Sequence, residues 1–198
     1  MKFKFILILI TILSTNLFSQ DISFNKNSLK TGINYAFFGA GDIIGIAFYS
    51  DYTYNINKYL GISPKISFGD GYRSNLEETL NYTLKETGHI SIKSLSISSK
   101  YIPFPFKFKR LSCEMGLHIS IFNKTSGTYF SNFLYETSNT TFNNYSEFQF
   151  GFIGSLKLNI IEKENFFMGV NLELLTQLYE RYLEATSYQY GIYCGIRF

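Results

Sequence analysis

The sequence holds no tryptophan, only two cysteines, two histidines and three prolines in 198 residues, and just 17% of it is charged. Two cysteines exclude a scaffold built on disulfides, and two cysteines with two histidines, all far apart in the chain, give no metal-ligand spacing. Eighteen basic residues against fifteen acidic ones, a net charge of +3, leave no basic surface for a nucleic-acid partner. No stretch reaches the roughly 18 unbroken apolar residues that a membrane helix needs, so any membrane role falls to strands. What the chain has in plenty is aromatic: 21 Phe and 16 Tyr beside little alanine, a composition that describes strands better than helices.

Residues 1–20 carry Lys2 and Lys4, an apolar run from Phe5 to Leu13, and a polar end through Ser19 and Gln20. A short basic start, an apolar run too short to span a bilayer and a small polar close predict a secretory signal peptide. No cysteine follows the run to accept a lipid. The segment takes two lysines and no acid with it, which leaves residues 21–198 as one nearly neutral domain.

That domain alternates. Tyr188, Tyr190, Ile192, Cys194, Ile196 and Phe198 share one face, and Gln189, Gly191, Tyr193, Gly195 and Arg197 the other. Period two over this length predicts a strand long enough for a tilted bilayer span. The same pattern runs through Phe148–Ile160 and Phe166–Leu174, joined by a polar turn at 162–165, and through 94–101, 112–121, 44–56 and 60–68, with a weaker strand near 29–38. Eight strands result. Gly39-Ala40-Gly41-Asp42 lacks the lysine and helix of a phosphate cradle and reads as a hairpin turn. The connections alternate short (57–58, 103–110, 161–165) with long (69–88, 123–143) or intermediate (176–187), the signature of an up-and-down transmembrane barrel with both termini on the short-turn side.

Alternation alone leaves two architectures, a soluble lipocalin-like barrel with the apolar face inward or a membrane barrel with it outward. The other face favours lipid outside: it is rich in Gly and Ser with scattered charges, as a narrow lumen requires, and Tyr and Phe recur near strand ends, where interfacial girdles sit. Asp51, Lys65, Glu114, Lys157, Glu173 and Arg197 then point inward and are expected to form a salt-bridged plug, since an unpaired buried ion costs several kcal/mol.

The run from Tyr188 to Phe198, apolar positions alternating and closing on Phe, resembles the terminal strand by which Gram-negative outer-membrane proteins are recognised for insertion. With the signal peptide and eight strands, the chain resembles the small outer-membrane β-barrel family of porin-like and OmpA/OmpX-like proteins over almost its whole length. It departs from that family in lacking girdle tryptophans and in having Ile97-Ser98 where many relatives carry Ile-Pro. The resemblance implies an all-β, eight-stranded antiparallel transmembrane barrel in the outer membrane, in contact with its lipid and handled by the barrel-assembly machinery through the strand ending in Phe198.

Four candidate features remain. Cys113 and Cys194 fall on the apolar face of strands three places apart, roughly 14 Å at ~4.8 Å per strand and beyond the ~7 Å limit for bridged Cα atoms, so two free lipid-facing thiols are expected. His118 and Ser120, like His89 and Ser91, share a strand face as a base and nucleophile would. The His-x-Ser spacing resembles that of outer-membrane lipid A deacylases, which implies Ser120 as nucleophile and His118 as base, although Ile121-Phe122 replaces the Asn-Ala continuation of those enzymes. The stretches 69–88 and 123–143, rich in Ser, Thr, Asn and Tyr, are expected as outward loops that bind a surface ligand. The reading is thus a monomeric barrel with a structural or surface-binding role, no catalysis and no cofactor. A deacylase and a narrow pore stand as its alternatives.

Overall fold

The computed structural model describes residues 26–39, 43–57, 59–79, 82–103, 110–132, 137–178 and 186–198. The expected signal segment 1–20 and positions 40–42 of the expected turn lie outside them. Eight strands follow one another: β1 (Asn27–Phe38), β2 (Ile43–Asn55), β3 (Leu60–Glu78), β4 (Tyr82–Tyr101), β5 (Leu111–Asn132), β6 (Thr137–Glu162), β7 (Phe166–Gln177) and β8 (Ser187–Arg197). Each pairs antiparallel with the next, and β1 closes onto β8 from Ser28↔Arg197 to Phe38↔Ser187. Closure leaves no free edge at barrel level.

The alternation falls as lipid outside requires. Phe150, Leu172 and Ile192 are 44%, 58% and 56% exposed, whereas Lys157 and Glu173 of the opposite parity are 1% and 4% exposed. An outer surface built of Ile, Leu, Phe and Tyr on every strand is far larger than the apolar patches a water-soluble monomer tolerates. The wall belongs in a bilayer, and the soluble alternative with its apolar face inward is excluded.

Inside, the bore of eight strands is narrow, and large side chains fit where the neighbour is small. Tyr49 of β2 stands directly opposite Gly32 of β1, and a Cβ on Gly32 would lie 2.6 Å from the ring's Cζ. Tyr193 stands likewise opposite Gly169, and Phe167 opposite Gly195. Tyr49, Phe167 and Tyr193 form one buried aromatic cluster. A second apolar cluster, Ala36, Phe38, Ile43, Ala47, Ile90, Ile92 and Phe122 with Tyr145 against it, fills the end of the bore away from the termini. At the terminal end, Asn57 Oδ1 accepts from the amides of Tyr59 and Leu60 at 2.8 Å each, which fixes the short β2–β3 turn.

One expectation is corrected here. The stretches 69–88 and 123–143 are not loops: the β3–β4 ladder runs on to Glu78↔Thr83 and the β5–β6 ladder to Asn132↔Thr137. The β2–β3 register reaches only Ile44↔Tyr72, and that of β6–β7 only Gly151↔Gln177. Past those points, among the described residues, β3, β4, β5 and β6 continue as a four-stranded sheet. Both faces of this extension meet water, so nothing there selects apolar alternation and the period-two signal stops although the strands do not.

Candidate functional site

Among the described residues three ion pairs cross the bore, and each joins strands four places apart in a ring of eight, on diametrically opposite walls. Lys30 of β1 meets Glu114 of β5 at 3.0 Å, Lys157 of β6 meets Asp51 of β2 at 2.5 Å, and Lys65 of β3 meets Glu173 of β7. The first two interlock, because Lys30 also lies 3.1 Å from Asp51 and Lys157 lies 2.6 Å from Glu114. Two ammonium groups and two carboxylates therefore alternate in one buried ring, so each charge has two opposite neighbours to offset its desolvation.

Hydrogen bonds extend the network. Thr53 donates to Asp51 Oδ1 at 3.0 Å and shares a 2.8 Å contact with Ser63, while Ser67 and Ser94 meet at 2.5 Å. The Lys65 ammonium lies 4.3 Å from the centre of the Tyr49 ring, a cation–π contact between the ionic and aromatic layers. Lys100 donates to Asn55 at 3.2 Å.

Of the residues that the sequence pattern points to, Asp51, Glu114 and Lys157 stand together in the ring, with Lys65 and Glu173 in the third pair. Arg197 does not join them: its guanidinium binds Glu162 at the terminal rim and lies 4.8 Å from the Phe167 ring. Lys30 and Glu162 are partners that the pattern does not reveal. Lys30 falls at the start of the weakly patterned first strand, and Glu162 reads as part of a polar turn.

His118 and Ser120 both face the lumen and are buried. His118 Nε2 lies 3.0 Å from the Thr176 carbonyl and donates to it, and its Nδ1 has no hydrogen-bond partner, so neither ring nitrogen engages the Ser120 hydroxyl. His89 lies on the opposite, outer face, where its Nε2 meets Asp70 Oδ1 at 2.8 Å. Cys113 and Cys194 are both free, and Cys194 touches Thr31 at 3.8 Å on the outer wall.

The projecting sheet offers a different kind of surface. Glu77 draws the Tyr82 hydroxyl into a 2.9 Å hydrogen bond that pushes the phenol's pKa up, and the Tyr82 and Phe130 rings pack 5.9 Å apart. Ser146 donates to Asn123 at 2.7 Å where the sheet leaves the apolar belt. On one side its edge is β6, residues 137–149, which no described strand pairs beyond β5.

No family model and no curated protein matches the sequence. Among solved structures, the outer membrane protein OprG from Pseudomonas aeruginosa is similar at a TM-score of 0.51 with 10% identity, over 90% of this chain and 99% of its own. CarO of Acinetobacter baumannii is similar at 0.50 with 8% identity, over 90% of this chain and 100% of its own. Ail, the attachment invasion locus protein of Yersinia pestis, gives 0.47 with 14% identity over 88% and 99%. The fold is that of the small outer-membrane barrels.

Proposed function

We propose that this protein resides in the outer membrane of a Gram-negative envelope as a sealed barrel and acts by binding at the cell surface. The observation that carries this reading is the sheet of β3 to β6 beyond the apolar belt. It is paired as far as Glu78↔Thr83 and Asn132↔Thr137, built of Ser, Thr, Asn and Tyr that offer adaptable hydrogen bonds, and open along the β6 edge among the described residues. An unpaired strand edge is a template for main-chain pairing with another protein, and aromatic and amide side chains on its faces suit glycans or neighbouring proteins.

The interior supports binding rather than conduction or catalysis. Ion pairs close the bore across its full width, and the apolar cluster around Phe38, Ile90 and Phe122 closes it again toward the sheet. Ser120 and His118 sit inside the wall, away from any acyl chain in the bilayer. Insertion is assigned to the barrel-assembly machinery through β8, and the lipid-facing wall needs no partner subunit.

The test replaces residues 73–88 and 125–144 with two-residue Asn-Gly turns, shortening both hairpins to barrel height. Cells displaying either form are applied to immobilised neutral and sulfated glycans and matrix proteins. The short form is expected to keep heat-modifiable gel mobility and lose adherence. Equal adherence of both forms overturns the reading.

A further inference from the structure

The outer face of β4 is apolar at Ile97 and Leu95 and then turns polar at Lys93, Ser91 and His89, which marks the rim of the belt on the side of the projecting sheet. Lys93 sits one row inside that rim. Its cross-strand neighbours are Phe68 and Ile121, both lipid-facing. A lysine among such neighbours lays its stem on the apolar wall and carries its ammonium up to the headgroup layer. Among the described residues nothing forms an ion pair or hydrogen bond with that ammonium.

A groove of about 450 Å³ opens beside it on the outer wall. Phe48, Phe68 and the Lys93 backbone share its lowest row, Ile46, Asp70 and Ser91 the next, and Ile44 and Tyr72 the row nearest the projecting sheet. Its floor is bare backbone at Gly45 and Gly71, which stand opposite each other; a Cβ on Gly45 would lie 2.5 Å from the Gly71 Cα. Only glycine permits so close an approach of the two strands. The one carboxylate at the groove, Asp70, is hydrogen-bonded to His89, and Lys93 is the one cationic side chain that lines the groove.

We propose that this groove holds one phosphorylated lipid of the outward-facing leaflet. The phosphate sits between the Lys93 ammonium and the Ser91 hydroxyl, and an acyl chain lies against Phe48 and Phe68. The pairing is by donor chemistry and reach: the Lys93 stem starts in the row of Phe48 and Phe68, where the acyl chain lies, and carries the ammonium up to the row of the Ser91 hydroxyl. A phosphate accepts from both donors at once, and charge-assisted bonds of this kind are the strong ones.

The full chain, refolded in non-ionic detergent, is titrated with dilauroyl phosphatidic acid and with dilauroylglycerol and read by native mass spectrometry. One phosphatidic acid is expected to be retained and the diacylglycerol lost. Lys93→Gln should weaken retention about tenfold and Lys93→Arg restore it, with Lys163→Gln in the terminal-side turn unchanged. Ser91→Ala, which keeps the charge, should weaken it about threefold. Heat-modifiable mobility confirms that each variant folds. Equal retention of the diacylglycerol, displacement by inorganic phosphate at the same concentration, a dimer in place of the lipid adduct, or full retention by Lys93→Gln each overturns the assignment.

Discussion

Asp51 and Lys157 lie on opposite walls of the barrel, four strands apart in a ring of eight, and yet their charged atoms are 2.5 Å from each other. The bore is no wider than two side chains meeting end to end. That single relationship underlies the proposed role, in which a lumen closed by its own ion pairs leaves the outer wall and the projecting sheet as the surfaces that act.

The Lys65 and Glu173 pair should behave as a unit. Glu173→Met leaves a buried ammonium without its partner and is expected to cost about 3–5 kcal/mol, while Lys65→Met with Glu173→Met should cost clearly less than either single change. Urea unfolding of barrels refolded into liposomes measures the cycle. Additive losses would mean that the two charges do not depend on each other.

The Gly32 and Tyr49 contact predicts overpacking. Gly32→Val drives a side chain into the Tyr49 ring and should destabilise by about 1–3 kcal/mol. In a Tyr49→Ala background the same substitution should cost little, again by urea midpoint.

Much of the barrel is legible in the sequence itself. β8 announces itself because one of its faces meets lipid and the other a packed lumen, so Tyr188 through Phe198 must alternate. β1 is weaker, since Thr31 interrupts its outer face and Ala36 and Phe38 bring apolar side chains to the inner one, which hides Lys30. The ladder from Tyr72 to Glu78 carries no such signal, because water on both faces accepts any polar residue. The diametric pairing is also illegible: which lysine meets which carboxylate depends on the stagger of the strands around the barrel, and alternation fixes parity but not stagger.

The two thiols test the outer wall. In bilayers, Cys113 and Cys194 should react with a membrane-permeant N-alkyl maleimide and resist a charged, water-soluble one, with two adducts by mass and no disulfide before reduction. Rapid labelling by the charged reagent would place either residue in water.

Lipid A incubated with the purified barrel should keep its full set of acyl chains, and Ser120→Ala should leave that result unchanged, because neither ring nitrogen of His118 is hydrogen-bonded to the Ser120 hydroxyl. Release of a fatty acid by the wild type that Ser120→Ala abolishes would restore the deacylase reading. His118→Ala should still lower stability, by about 1 kcal/mol for the lost bond to the Thr176 carbonyl.

The most direct test of a barrel sealed by its own charges is single-channel recording of the full chain in a planar bilayer at moderate salt. The account predicts a silent membrane after insertion, verified by heat-modifiable mobility of the recovered protein. Discrete, reproducible conductance steps would contradict it.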